Sequence, residues 1–399
     1  MSLNEYTLTQ QKIIVIAPVI TGSLSLISSL TIMAMMLKSK KKLSSSYRRL
    51  IFGLSMADVV FSIGQVVSTL PMYHGTVWGA MGNQKTCEAQ GILLYFGAAA
   101  GNLYMMFLSI YFFTAIYFPM SKKYFARKVE PFFHLCATLY SSTTVLYLFV
   151  KKYFNPGNDS LTCWISSFPI RCSINGPIQC IRGAGAVQKR LFFAVVPIAL
   201  IFLTIFFTMG MISWKAIKQA KSNKKYQFQI PNTSQIVNTA ITEDNVNNNN
   251  RQRFPRRDSS SWLHVISRSN NEPSNRIKSV TIQAILYVMA FFFSWIFVCV
   301  NIIIERKHGI TYVMRLMSRI LNPLQGFNTM LVYTRPHVIS LRRTHKEYSW
   351  LKAFFIVITS GGDDDGKVVR DRRLSRISVK IPSEIRGMDL SSSSQEKLP

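Results

Sequence analysis

Residues 191–214 read LFFAVVPIALIFLTIFFTMGMISW and contain no charged side chain. A helix needs about 20 apolar residues, each with a rise of about 1.5 Å, to cross the hydrocarbon core of a bilayer. This stretch therefore predicts a transmembrane helix, and six other runs in the chain have a comparable length. The seven predicted spans are residues 13–37, 50–71, 89–117, 132–150, 191–214, 280–304 and 311–333.

The composition agrees with a protein built from these spans. Of its 399 residues, 48% are hydrophobic and only 16% are charged, whereas soluble domains carry about 25% charged residues. The predicted fold is an all-α membrane protein, a seven-transmembrane helix bundle. The alternative is that one of the weaker runs, the second or the seventh, is a buried or re-entrant segment.

The distribution of the basic residues predicts how the chain is oriented in the membrane. The net charge is +29, but the basic residues lie in the connections between spans rather than on one amphipathic domain, so no nucleic acid is expected as a partner. About three quarters of them fall in residues 38–49, 118–131, 215–279 and 334–399. Since cytosolic loops carry the excess of Lys and Arg, we expect the N-terminus outside, the C-terminus in the cytosol and a multi-pass location in the plasma membrane.

The predicted spans divide the chain into four regions. Residues 1–12 form an extracellular N-terminus, and residues 13–333 form the transmembrane domain, with a basic, disordered third cytosolic loop at about 215–279. Residues 334–359 are expected to form a short eighth helix on the membrane surface, because their apolar patch is too short to span. Residues 360–399 are a disordered cytosolic tail. Ser259 and Ser375 each follow a pair of arginines and are predicted phosphorylation sites.

The cysteines fit this orientation. Four of the six lie in segments assigned to the outside, where disulfides form. Four cysteines allow three pairings; we favour Cys87–Cys163 with Cys172–Cys180, which ties span 3 to the 151–190 loop and closes a short local hairpin. The same loop carries Asn158-Asp159-Ser160, so Asn158 is a predicted glycosylation site.

Ionisable residues are rare within the spans, and each is costly in hydrocarbon. Asp58 lies in span 2, and Asn322 and Asn328 bracket a similar depth in span 7. A buried carboxylate needs such donors, a cation or a proton. One interpretation of this cluster, with Ser109, is a structural polar knot; the other is a sodium or proton site whose occupancy changes with conformational state.

Three further residues are candidates for an outer ligand pocket. Arg315 and Arg319 are four residues apart and share one face of helix 7. Either they snorkel to the outer interface, which is easier for Arg315 than for Arg319, or they form a cationic floor for an anionic or carbonyl-bearing ligand. Trp295 lies in an aromatic run of span 6, where it serves either in packing or as a rotamer switch beneath the pocket.

Motifs of enzymatic chemistry are missing from the sequence. It contains no metal-binding pair of histidines, no nucleophile elbow and no Gly-rich phosphate loop. Span 7 has no lysine, which excludes a retinal Schiff base there. We therefore expect no enzymatic activity and no cofactor.

Scattered motifs across residues 10–345 resemble those of G-protein-coupled receptors. They are Leu54-Ser55-Met56-Ala57-Asp58 in span 2, Cys87 with the Cys163-Trp164 pair, and Asn322-Pro323 in span 7 followed by a membrane-lying eighth helix. Other motifs look like the divergent receptors of protists and fungi, a group that includes the slime-mould cyclic-AMP receptors and the fungal glucose-sensing receptors. These are Gln90-Gly91 after Cys87, Leu108-Ser109-Ile110-Tyr111, the run Asn322-Pro323-Leu324-Gln325-Gly326-Phe327-Asn328, and Arg335-Pro336 after Tyr333.

The chain also departs from animal receptors at three motifs. The Asp-Arg-Tyr triplet at the end of span 3 is absent, span 6 has no proline after its tryptophan, and the Asn-Pro motif has no tyrosine three residues further on. The resemblance nevertheless implies a signalling receptor with an unknown extracellular ligand, a heterotrimeric G protein as partner and membrane lipid around it. The alternative function is a membrane transporter or channel, whose usual internal repeat is missing here.

Overall fold

Eight helices account for most of the chain that the computed structural model describes, namely residues 6–40, 42–74, 76–118, 121–157, 161–169, 172, 178–228, 280–301 and 311–360. The first six are α1 Leu8–Lys38, α2 Ser46–Val66, α3 Gln84–Tyr117, α4 Lys122–Val150, α5 Ala186–Lys218 and α6 Val280–Asn301. Helix α5 continues beyond its apolar part to Phe228. Helix α7 comprises Tyr312–Leu321, a 3-10 turn at Asn322–Leu324, and Gln325–Thr344, and α8 is Trp350–Ser360.

The predicted seven-transmembrane helix bundle is confirmed. Helices α1 to α6 are each long and apolar enough to cross a membrane, and α7 completes the bundle. Helix α7 is less apolar than the others because it contains Arg315 and Arg319, and the 3-10 turn interrupts it. The chain is therefore a multi-pass membrane protein.

The segment after span 7 differs from its predicted form. Residues 334–359 were expected to form one surface helix, but α7 continues through residue 344 and α8 begins only at Trp350. Helix α7 extends past the last apolar residue because basic side chains in its last turn, Arg342 and Arg343, favour the negative end of the helix dipole. Helix α8 has buried Ala353 and Val357 on one side and an exposed Phe355 on the other.

Helix α3 lies at the centre of the described bundle and contacts α2, α4, α5 and both strands. Its approach to α2 is close enough to require glycine. A Cβ atom added at Gly97 would lie 2.5 Å from the backbone nitrogen of Phe61, so a larger side chain there would force the two helices apart.

The connection between α4 and α5 forms a short β-hairpin over one end of the bundle. Strand β1, Phe154–Pro156, pairs antiparallel with β2, Cys163–Ile165. The structure contains the disulfides Cys87–Cys163 and Cys172–Cys180. The described residues do not include Asn158, Ser259 or Ser375. They also exclude most of the 215–279 connection and all but the first residue of the 360–399 tail.

Candidate functional site

A cavity of about 400 Å³ lies between helices α2 to α7, beneath the hairpin. This volume falls in the lower part of the range typical of small-molecule sites. Apolar side chains form most of its wall, with a smaller number of polar ones. Such a cavity can enclose a ligand about the size of a small metabolite. We refer to the half of the bundle that contains it as the cavity end.

The roof of the cavity is fixed to α3 by one disulfide and one glutamine. Buried Gln90 accepts a hydrogen bond from the backbone nitrogen of Cys163 at 3.1 Å. Its amide nitrogen donates to the carbonyls of Gly64 at 3.0 Å and Ser68 at 2.6 Å. One side chain therefore joins the end of α2, α3 and strand β2, and it lies three residues from the Cys87–Cys163 disulfide.

Two further features hold the hairpin close to α3. A Cβ atom at Gly91 would lie 2.6 Å from the Phe154 ring, so only glycine allows the strand to pack this closely. Arg182 forms an ion pair with Glu88 on α3. Beside this pair, Tyr73 donates a hydrogen bond to the Gln84 side chain on α3, and burial raises the pKa of its phenol.

The three residues predicted to form an outer ligand pocket, Trp295, Arg315 and Arg319, all line this cavity. Trp295 is 5% exposed and donates its indole hydrogen to the Gln325 side-chain oxygen at 2.8 Å. Asn322 and Pro323, in the 3-10 turn of α7, line the cavity beside it. The tryptophan thus contacts the cavity on one side and a polar group of α7 on the other.

The burial of the two arginines is the reverse of the expected order: Arg315 is buried and Arg319 is half-buried. Snorkelling to water was expected to be easier for Arg315, but Arg315 is only 4% exposed. Its guanidinium lies 5.6 Å from the ring of Tyr6, which also packs edge-on against Tyr312. The segment before α1 therefore covers Arg315, a contact that the position of an arginine along one span does not reveal.

The cavity is cationic in its described lining. Three arginines, Arg190, Arg315 and Arg319, line it, and the described lining residues include no aspartate or glutamate. Several lining side chains also carry a buried polar atom without a hydrogen-bond partner among the described residues. These atoms are Gln65 Oε1, Asn102 Oδ1, Asn301 Oδ1, Asn322 Nδ2 and Arg319 Nε. Because such an atom costs about 1–3 kcal/mol, each is a place where a ligand can contribute binding energy.

The predicted cluster around Asp58 has a different composition from the one expected. Asp58 is 3% exposed, and its Oδ1 accepts a hydrogen bond from Gln325 Nε2 at 3.1 Å. Since Gln325 also accepts from Trp295, the three side chains form a continuous chain of hydrogen bonds from the cavity to the buried carboxylate. Asp58 Oδ2 has no hydrogen-bond partner among the described residues.

The other expected members of this cluster bind elsewhere. Asn328 donates to Ser294 at 3.1 Å, and Ser109 pairs with Thr208 of α5. Asn322 Nδ2 has no hydrogen-bond partner among the described residues, so neither asparagine amide binds the Asp58 carboxylate there. Gln325 lies within the Asn322–Asn328 motif, and its side chain is the longest polar one there. The sequence analysis did not consider it as a partner of Asp58.

A second group of polar contacts lies at the other end of the bundle. We call this the far end and define it by Tyr47, Arg49, Glu130, Gln283 and Tyr287. The hydroxyls of Tyr47 and Tyr287 are 2.9 Å apart, and Gln283 donates to Tyr47 at 2.7 Å, which joins α2 to α6. Arg49 binds the Glu130 carboxylate through two nitrogens, one at 2.7 Å, which joins α2 to α4. The sequence analysis did not single out these residues. Tyr47, Arg49, Glu130 and Gln283 lie in or near polar connections, and Tyr287 lies in the apolar run Ala284–Ala290.

In the part of the chain that the structure describes, no group of three or more His, Cys, Asp or Glu side chains is placed to hold a metal ion. A cation at Asp58 would therefore rely on one carboxylate and neutral oxygens.

Comparison with known proteins identifies the architecture. No family model matches the sequence, and no curated protein matches it. Among solved structures, the crystal structure of squid rhodopsin matches with a TM-score of 0.51, over 88% of this chain and 90% of that chain. The chain has the rhodopsin fold. The two sequences are 13% identical, so the likeness concerns the fold and not a ligand or partner. Within this rhodopsin fold, the cavity and the far-end contacts lie at opposite ends of the helices.

Proposed function

We propose that this protein is a G-protein-coupled receptor-like signalling receptor that binds an extracellular ligand in the cavity and transmits a conformational signal to the cytosol. In this proposal the cavity end faces outward and the far end faces the cytosol, with the C-terminus inside. The rhodopsin fold, the positive charge of the connections at the far end and the cysteines at the cavity end support this arrangement.

One observation carries the proposal: the hydrogen-bond chain Trp295–Gln325–Asp58, which begins at the cavity wall. A ligand that displaces Trp295 must alter the bond to Gln325 and, through it, the bond to the buried carboxylate. A conformational equilibrium shifts only when a ligand binds the two states differently. The hydrogen bonds from Trp295 to Asp58 supply such a difference in binding, because Trp295 contacts both the cavity and the polar centre of the bundle.

The far end supplies the element that would move. Tyr47, Tyr287 and Gln283 hold α6 against α2, so an outward displacement of α6 must break these bonds. The basic connections around this end suit both acidic membrane lipid and a heterotrimeric G protein as partners. Phosphates at Ser259 or Ser375 would reduce that positive charge.

The test is nucleotide exchange by the full chain in lipid nanodiscs with purified heterotrimeric G proteins of several classes. We expect exchange above that of protein-free nanodiscs for at least one class, and a several-fold change in Gln325→Leu, which loses both bonds of the chain. Thr329→Val is the matched control, since its buried hydroxyl bonds only to the Gln325 carbonyl of its own helix. If no class responds to either protein while proteoliposomes pass ions or solutes, the chain is a transporter or channel.

The proposed orientation has its own test at two sequons. Expression in a eukaryotic host should give a glycosidase-sensitive mass shift that disappears in Asn158→Gln. The matched control is Asn232→Gln at the second sequon, Asn232-Thr233-Ser234, which lies in the connection assigned to the cytosol. A shift that depends on Asn232 instead would invert the orientation.

A further inference from the structure

We infer that the cavity binds a small organic anion, a carboxylate or a phosphate ester, with its negative charge held at Arg319. This inference rests on the proposed role of the cavity as the ligand site and names the class of ligand. It is carried by the contacts of Arg319, by the other charges of the cavity and by the polar atoms that α2 and α3 contribute to it.

Arg319 is half-buried, and its guanidinium has few hydrogen-bond partners among the described residues. It donates one hydrogen bond, from Nη2 to the Leu161 carbonyl at 3.2 Å, and its Nε has no partner among the described residues. Leu161 is itself buried, in a cluster with Ile14 and Val15. The roof of the bundle therefore lies over Arg319 and limits its access to water. A guanidinium in such a place is stabilised most by a carboxylate or phosphate, which accepts its hydrogens in pairs.

The charges around Arg319 favour the same class of ligand. Arg315 lies one turn away on the same face of α7, and Arg190 lines the cavity from α5. Like charges four residues apart on a helix repel one another, and burial strengthens the repulsion. No carboxylate lies among the described lining residues, so an anion that enters the cavity would offset this repulsion.

The polar atoms that α2 and α3 contribute to the cavity indicate what the rest of the ligand carries. Gln65 Oε1 on α2 and Asn102 Oδ1 on α3 are acceptors without a donor among the described residues. Both side chains are buried, at 7% and 2% exposure. Apolar side chains such as Leu94 line the same cavity. The ligand therefore has its anionic group toward α7, a hydroxyl or amine hydrogen toward α2 and α3, and an apolar body between them.

The experiment compares acids with their neutral amides on the full chain in nanodiscs, without G protein. The probes are inorganic phosphate, hexanoate and benzoate, each measured against sodium chloride at equal ionic strength, and the isosteres hexanamide and benzamide. Thermal unfolding and calorimetric titration give the binding. The proteins are the wild type, Arg319→Gln and the control Lys151→Gln, which removes an exposed cation outside the cavity.

We expect the anions to raise the unfolding temperature of the wild type and the amides to leave it unchanged. Arg319→Gln should weaken anion binding by about tenfold or more, since a hydrogen bond to a charged group contributes about 1.5–3 kcal/mol. Lys151→Gln should bind like the wild type. Equal binding of acids and amides, unchanged anion binding in Arg319→Gln, or no anion-specific stabilisation of the wild type would each overturn the inference. The comparison of acids with amides in the wild type decides the matter even if Arg319→Gln does not fold.

The readouts separate this inference from the proposed function. Anion binding that depends on Arg319 but never alters nucleotide exchange would refute the receptor proposal and keep the ligand class. Nucleotide exchange stimulated by neutral compounds, with no binding of the anions, would refute the anionic ligand class and keep the receptor proposal.

Discussion

The polar side chains that line the cavity and those that define the far end differ in their hydrogen bonding. At the cavity end, Arg319, Asn102 and Gln65 keep polar atoms without a partner in the described structure. At the far end, Arg49 is matched with Glu130, and Tyr47 with Tyr287. Since an unmatched buried group costs free energy and a matched one costs little, the cavity end is arranged to gain stability from a ligand. The five side chains that define the far end already have partners without one.

This difference assigns a distinct role to each end. Unmatched groups are useful where a ligand arrives, because its binding then restores lost hydrogen bonds. Matched groups are useful where movement must be restrained, because opening breaks them. In this view, signalling forms hydrogen bonds around the ligand at the cavity end and breaks the hydrogen bond between Tyr47 and Tyr287 at the far end.

The largest expected effect comes from removing the disulfide that holds the cavity end together, which leaves the far end unchanged. The double substitution Cys87→Ser and Cys163→Ser removes a disulfide that joins residues 76 apart, which costs about 4 kcal/mol by loop-closure entropy. We expect a large loss of surface expression and of thermal stability. Hydrogen exchange at the far end should stay slow in the fraction that folds, because neither Cys87 nor Cys163 lies there.

The control for this prediction is the second disulfide. Cys172→Ser with Cys180→Ser opens a loop that joins residues only 8 apart, for which the same entropy is about 2–3 kcal/mol. Equal losses in the two double variants would show that the roof, and not its attachment to α3, carries the stability of this end.

A smaller effect is expected from an ion pair at each end. Glu130→Gln should lower the free energy of unfolding by about 1–2 kcal/mol, less than a fully buried pair, because the Arg49 side chain is 30% exposed and water replaces part of the bond. It should also raise basal nucleotide exchange. Glu88→Gln, which breaks the pair with Arg182 at the cavity end, should cost similar stability without raising basal exchange. A rise in both variants would mean that lost stability, and not the far end, controls activity.

The third prediction removes one hydroxyl from each end. Tyr287→Phe loses the bond to Tyr47, which is worth about 1 kcal/mol, and should raise basal exchange about fivefold. The matched change is Tyr95→Phe, which removes the hydrogen bond from Tyr95 to the Phe193 carbonyl at 2.7 Å near the cavity. We expect no increase there. Similar exchange rates in the two variants would remove the distinction between the ends.

The smallest effect concerns the carboxylate between the two ends. Asp58→Asn keeps an acceptor for Gln325 but removes the charge, so unfolding should change little. If the open Oδ2 of Asp58 takes up sodium or a proton, the dependence of basal exchange on sodium and pH should change by a few-fold at matched surface expression. A profile like that of the wild type would leave Asp58 as a structural knot, and then Asp58→Leu should unfold more easily.

Much of the fold was predictable from the sequence, because length and apolarity alone determine which segments cross a bilayer. Residues 191–214 show this most clearly, and six of the seven spans have the same character. Parts of the site were predictable for a related reason: an arginine or a tryptophan inside an apolar run is conspicuous. Trp295 and Arg319 were identified in this way, and both line the cavity.

The remaining features depend on distances between segments that are far apart in the chain. The cover of Arg315 comes from Tyr6, and the partner of Asp58 is Gln325 rather than Asn328. The far-end pairs join residues 240 and 81 positions apart. Neither hydropathy nor spacing within one helix contains this information, since it arises only when the helices pack.

The 3-10 turn at Asn322–Leu324 sets the angular phase between the two halves of α7. Each residue of a 3-10 helix advances about 20° further around the axis than a residue of an α-helix. Over three residues the second half is therefore rotated by about 60° relative to a continuous α-helix. This rotation allows the arginines before the turn to face the cavity while Gln325 after it faces Asp58. Winding the turn into α-helix would move one group out of alignment with the other, so a change of pitch at Asn322–Leu324 is by itself a means of coupling or uncoupling the ligand from the carboxylate.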